Sequence, residues 1–192
     1  MNFFTSVKRK KDFNVEGSLT INKIEFFNII NNIISNKSVQ EMKNYRQHCN
    51  ISCYKHCIYV AYFTYVVCKK LKLDYISATR AAMLHDLFLY DWRKKNRNID
   101  LPGLHAFVHP KIALKNSLNF FDLNKKEQDI ILKHMWPLTI NLPKYAESYI
   151  VTFMDKYSAI RESYLYFQSN LKKKSAYKYA YVFLSLILFR IV

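Results

Sequence analysis

A chain of 192 residues is long enough for one domain with a real hydrophobic core, and too short for two full domains. Only 2 Gly and 4 Pro leave little material for tight turns, so the expectation is an all-α, single-domain helical bundle joined by short connections. The formal charge of +16 points to nucleic acid, an anionic membrane or a phosphorylated small molecule, yet lysine is abundant here together with Asn, Ile, Phe and Tyr, and a solvated lysine-rich surface accounts for it equally well.

Residues 1–18 are polar and basic and read as a loose leader. Their opening, "MNFFTSVKRKKDF", turns to charge before an apolar core of signal-peptide length appears, which makes the cytoplasm the expected location. In "INKIEFFNIINNIIS" apolar residues recur at three and four, predicting a helix that docks on a core. Ser38 to Glu41, "SVQE", has capping-box spacing and predicts a further helix running toward His48. From Ser52 to about Leu71 the chain has the length and apolar content of a core helix. Cysteines 49, 53 and 57 repeat every four residues, which stacks them on one helix face, with Cys68 beyond. That spacing is not a zinc ribbon and suits buried free thiols in a reducing compartment.

Asp74 can cap the next helix, which carries "ISATRAAMLHD" to the pair His85-Asp86. After a basic loop, "RKKNRNIDLPG", a helix is predicted to start near His109-Pro110, with the proline in its first turn. "NKKE" (Asn124 to Glu127) has capping spacing again, and the helix it opens should end around His134. Pro143 precedes a long segment that places Ile150, Phe153, Met154, Tyr157, Ile160 and Tyr164 on a helical stripe. Residues 171–192 join a basic run, with lysines at 172 to 174, to an apolar stretch from Tyr179 to Phe189. That stretch falls short of the ~20 apolar residues of a spanning helix. A buried last helix is expected, with peripheral contact to an anionic membrane as the alternative.

Six candidate metal ligands, His56, His85, Asp86, His109, His134 and Asp155, fall on successive predicted helices. Singly they say little, because a lone histidine on an apolar helix is more often a hydrogen-bonded core residue than a ligand. A bundle can gather such residues at its centre when several helices each point one inward. Their order, read in "SCYKHCIYVAY", "AAMLHDLFLYDW", "LHAFVHPKIAL", "ILKHMWPLT" and "IVTFMDKYSA", resembles the H…HD…H…H…D series of the HD-domain metal-dependent phosphohydrolases. The resemblance runs from about Gln47 to Ala159. It looks closest to small stand-alone bacterial HD proteins, in which "QH" stands eight residues before the first ligand.

The resemblance implies an HD-type bundle and a hydrolase acting on a nucleotide or a related small phosphorylated metabolite, as a monoesterase or diesterase. His56, His85, Asp86 and Asp155 match the four ligands of one-metal members. His109 and His134 match the two extra histidines of the two-metal subset, where Asp86 would bridge. His85 and Asp86 would then stand at the centre of catalysis. One or two divalent transition ions could acidify a water near neutral pH and neutralise phosphoryl oxygens. An imidazole-rich donor set with two carboxylates favours iron, manganese, zinc or nickel over calcium.

One departure stands out. Many members continue the pair as HDxGK, whereas this chain reads Leu87-Phe88-Leu89 and has neither the glycine nor the lysine. Arg46, His48, Asp91, Arg93, Lys94, His105 and Lys111 are the candidate substrate-binding residues in their stead, each weighed against a solvated surface charge or, for His105, a loop end. Trp92 and Trp136 are candidates to stack on a base, although aromatic residues at helix ends more often lid a core. The missing lysine also admits a second reading, a catalytically inactive HD-fold regulatory or ligand-binding module. A third, a basic nucleic-acid-binding protein with structural histidines, ranks last because no basic helix with interleaved aromatics stands out.

Overall fold

In the computed structural model, which describes residues 15–94 and 103–173, the backbone forms seven α-helices and one short 3-10 turn, with no β-strand among the described residues. The helices are α1 (Val15–Ile34), α2 (Lys37–Glu41), α3 (Cys53–Lys70), α4 (Tyr75–Leu84), α5 (His105–Phe120), α6 (Lys125–Lys133) and α7 (Ala146–Lys173). The expectations for the leader up to residue 14, for most of the basic loop (95–102) and for the apolar C-terminal stretch (174–192) lie outside the described residues. No described helix is long and apolar enough to cross a membrane.

Short polar side chains set three of the helix starts. Ser52 accepts from the backbone N–H of Lys55, and Asp74 accepts from that of Ser77. Asn124 accepts from Glu127, whose own side chain returns to the Asn124 N–H to complete a capping box. Each such bond satisfies an N–H that the helix cannot pair internally.

Other boundaries correct the sequence expectations. α1 starts at Val15, inside the segment expected to be a leader, because a reading keyed to apolar residues begins at Ile21 and misses the polar turns before it. The cap of α2 is Asn36, which accepts from the N–H of Ser38, so Ser38 is not the cap itself. α2 ends at Glu41 and gives way to the 3-10 turn Met42–Asn44, so no helix reaches His48. Cys49 therefore lies in a loop with φ of 49°, exposed and off the face that Cys53 and Cys57 share. α5 starts at His105, and Pro110 stands in its second turn instead of its first.

α3 runs through the middle of the bundle, against α4 on one side and α7 on another, while α6 bridges α4, α5 and α7. Ala78, Ala81 and Ala82 are fully buried on α4, small enough to let α3 come close. Phe26, Ile30 and Ile33 of α1 and Val60 and Tyr65 of α3 fill the far end of the core.

α7 reverses the usual pattern. Phe153, Tyr157, Ile160 and Tyr164 of the apolar stripe are 58, 49, 71 and 50 % exposed. The face turned inward carries Ser148, Val151, Thr152, Ser158 and Glu162, with Asp155 between them. Carboxylates point into the bundle here because partners for them lie at its centre.

Candidate metal centre

Five helices bring the ligand types together. His56 stands near the start of α3, His109 in the second turn of α5, and Asp155 on the inner face of α7. His85 is the C-cap of α4, with Asp86 directly after it, and His134 is the C-cap of α6. The two helices thus end at the cluster, and their terminal carbonyls turn partial negative charge toward it. His56, His85, Asp86, His109 and His134 are buried, and the Asp155 side chain is 14 % exposed.

Asp86 lies between two groups of imidazoles. Its Oδ2 is 3.4 Å from Nε2 of His85, and its Oδ1 is 3.3 Å from Nε2 of His109 and 3.7 Å from Nε2 of His134. Asp155 Oδ1 lies 2.9 Å from Nε2 of His56 and 3.6 Å from Nε2 of His85. The donor atoms of His56, His85 and Asp155, and likewise those of His85, Asp86 and His134, fall within 4.8 Å of one another, close enough to share an ion.

The hydrogen bonds decide which nitrogen each ring offers. Nδ1 of His85 faces the carbonyl of Ala82 at 2.7 Å, that of His109 the carbonyl of His105 at 2.8 Å, and that of His134 the carbonyl of Ile131 at 2.8 Å. A carbonyl only accepts, so all three Nδ1 atoms carry hydrogen, and each ring in its neutral form presents a bare Nε2 lone pair to the cluster. Nε2 of His109 and Nε2 of His134 stand 2.9 Å apart, two lone pairs that repel unless a proton or metal ion lies against them. His85 Nε2 and Asp86 Oδ1 are buried without a hydrogen-bond partner. Orphaned acceptors of this kind are rare in protein interiors, and here they converge, which fits a bound cation.

Charge follows the same logic. Burial and the neighbouring His109 and His85 push His134 down to about 3, so its ring is neutral. Burial also disfavours a charge on His56, but Asp155 on one nitrogen and Glu162 on the other outweigh it and push the ring up to about 10. Burial also works against a charge on His85, but Asp86 and Asp155 beside it outweigh burial and hold that ring well above the ordinary imidazole value. Burial likewise works against the Asp86 and Asp155 carboxylates, and the surrounding imidazoles, His85 foremost for Asp86 and His56 for Asp155, still hold both below the ordinary range.

Three contributors stand outside the ligand series, and of these only Gln47, in the QH pair, belongs to a motif noted in the sequence. Glu162 holds Nδ1 of His56 with both oxygens, at 3.0 and 3.1 Å. Gln47 donates its amide to Asp86 Oδ2 at 2.5 Å, from a loop closed by Gln47 N–H to Ile51 O and by Cys53 N–H to Tyr45 O. Lys156 borders the cluster with Nζ 3.4 Å from the backbone oxygens of His134 and Thr152. The available signal for Glu162 was its place seven residues after Asp155, two turns along the same face.

Cys53, Cys57 and Asp86 form a further group with ligand atoms in reach of one another. Burial pushes both thiols up and keeps them protonated, and Cys53 Sγ donates to the backbone oxygen of Asp86 at 3.2 Å. These sulfurs brace the His85-Asp86 turn from behind.

The substrate candidates divide. His48 is half-buried with its ring edge-on to His56 at 5.2 Å, and His105 stacks between Trp92 and His109 while its Nδ1 meets the Tyr90 hydroxyl. Arg46 and Lys94 are exposed, and Arg46 accepts from the Trp92 indole through its carbonyl. Asp91 and Arg93 engage each other through two bonds of 2.9 Å. Lys111 points outward from the second turn of α5, not the first. Trp136 packs edge-on against Tyr149.

Comparison of the chain with models of known protein families, with curated proteins and with solved structures finds no match.

Proposed function

We propose that this chain is a metal-dependent phosphohydrolase of the HD-domain type, cleaving a phosphate ester of a nucleotide or a related small phosphorylated metabolite. What carries the reading is Asp86, a buried carboxylate with one oxygen toward His85 and the other toward the facing pair His109 and His134. His56, His85, Asp155 and one Asp86 oxygen would hold one ion; His109, His134 and the other Asp86 oxygen would hold a second. Two such ions, when bound, supply water activation and neutralise charge on the phosphoryl group.

The chain's own part is preorganisation. Three backbone carbonyls fix the tautomers of His85, His109 and His134, and Gln47 fixes the plane of Asp86. Burial keeps bulk water from competing for the ligand atoms. His48 and Lys156 border the centre and are the groups we assign to the substrate phosphate. Three buried free thiols suit a reducing cytoplasm.

Elemental analysis of the purified chain should find about two transition ions per chain. Asp86→Ala should lose them, and lose phosphatase activity by at least about 10²-fold, with helical circular dichroism retained. A mutant that keeps full turnover places the chemistry elsewhere. Screening nucleotides, dinucleotides, cyclic nucleotides and sugar phosphates with added manganese identifies the substrate; metal binding without turnover on any of them favours the regulatory module.

A further inference from the structure

The four imidazoles of the centre are not supported alike. Nδ1 of His85, His109 and His134 each rests on a neutral backbone carbonyl. Nδ1 of His56 alone among them rests on a carboxylate, that of Glu162, which is 1 % exposed and meets the ring with both oxygens. A carboxylate behind an imidazole raises its basicity as a ligand, and a buried charge acts over a longer range than one in water.

The charges around the two ligand groups differ as well. The His56 and His85 side has Asp155 Oδ1 at 2.9 and 3.6 Å, Asp86 Oδ2 at 3.4 Å from His85, and Glu162 behind. The His109 and His134 side has Asp86 Oδ1 at 3.3 and 3.7 Å as its carboxylate contact. Lys156 borders both halves, its Nζ lying against the carbonyl of His134 and its charge acting on the adjoining Asp155, so it does not offset this difference.

We propose that Glu162 is a positioning residue that makes the two halves of the centre unequal, so that the ion held by His56, His85 and Asp155 binds first and tightly while the ion held by His109 and His134 exchanges. The second half then fills and empties with the free metal concentration, and the chain's activity follows that concentration. This inference rests on the two-ion reading above.

Equilibrium dialysis of the full chain against graded free Mn²⁺, with bound metal counted by elemental analysis, tests it. The wild-type chain should bind two ions in separate steps, at least about tenfold apart in Kd. Glu162→Gln keeps the shape and an acceptor for His56 and removes only the charge. It should weaken the tighter step by about 10–100-fold and leave the weaker one within about twofold. His134→Ala should delete the weaker step alone. Electron paramagnetic resonance of bound Mn²⁺ gives a second readout: an isolated-ion signal at low loading that turns into a coupled-pair signal as the second half fills.

Two wild-type ions that bind in one step overturn the inequality and leave the two-ion reading intact. A folded Glu162→Gln chain whose tighter step is unchanged, or whose two steps weaken equally, removes the role of Glu162. A wild-type chain that binds no Mn²⁺ at any concentration overturns the metal reading itself.

Discussion

Lys72 follows the C-cap of α3 with φ of 56°, the left-handed region that a side chain enters at a cost of about 1–2 kcal/mol. The turn requires it: Leu73 N–H reaches the Cys68 carbonyl at 3.0 Å and Lys72 N–H the Lys69 carbonyl at 3.2 Å, which closes a Schellman motif. Lys72 is exposed, so little is lost with its side chain. Lys72→Gly should stabilise the chain by about 0.5–1 kcal/mol, read as a rise in the urea midpoint at unchanged m-value. At the same scale, the ligand types of the centre were legible in the sequence as an ordered series of His and Asp. Their supports were less so: Gln47 stood out in the QH pair but its partner Asp86 lies 39 residues on, Glu162 meets His56 across 106, and no local spacing records such pairings.

Among the elements, α6 and the start of α7 are tied through Asp129. Its carboxylate takes the ammonium of Lys133 at 2.6 Å, the Lys144 N–H at 2.9 Å and the Ser148 hydroxyl at 2.8 Å. Burial alone would raise this carboxyl; the three donors outweigh it and hold it below the ordinary range. A lowered folded value means the contribution is complete above the unfolded value near ~3.9 and disappears as pH falls through the folded one. Asp129→Asn should therefore cost about 1–3 kcal/mol at neutral pH, with the gap to wild type closing below about pH 4 in denaturation curves.

The caps Asp74 and Asn124 could be read from the chain because capping is a local chemistry of three or four residues. The start at Ser52 follows from apolar content alone, while the cap at Asn36 lies two residues before the Ser38 that the spacing suggests. The inner face of α7 could not be read. Of the predicted stripe only Ile150 and Met154 pack against the core while Phe153, Tyr157, Ile160 and Tyr164 are exposed, since the inner face also carries Asp155 and Glu162, which answer to His56 and His85 and not to the hydrophobic pattern. The proline of α5 misled for a similar reason. It sits where the helix is already one turn old, and its missing N–H withdraws only one internal bond.

For the molecule as a whole, the candidate ligand atoms come from five helices that packing and polar ties such as Arg80–Glu127 and Asp129–Ser148 already hold together. An ion that binds them stabilises the folded chain alone, by about 2.7 kcal/mol at a hundredfold excess over its Kd. For a chain of this length that is roughly 5–10 °C, so adding saturating Mn²⁺ to chelator-treated protein should raise Tm by about that much, and Asp86→Ala should abolish the rise.

The carbonyl ends of α4 and α6 give this centre a polarity opposite to that of the molecule around it. The chain as a whole carries a formal charge of +16, while Asp86, Asp155, Glu162 and two helix termini gather negative charge around the buried imidazoles. On the two-ion reading, the cations that settle in this pocket would reverse its sign, and a phosphate ester would meet a positive centre only once they are in place.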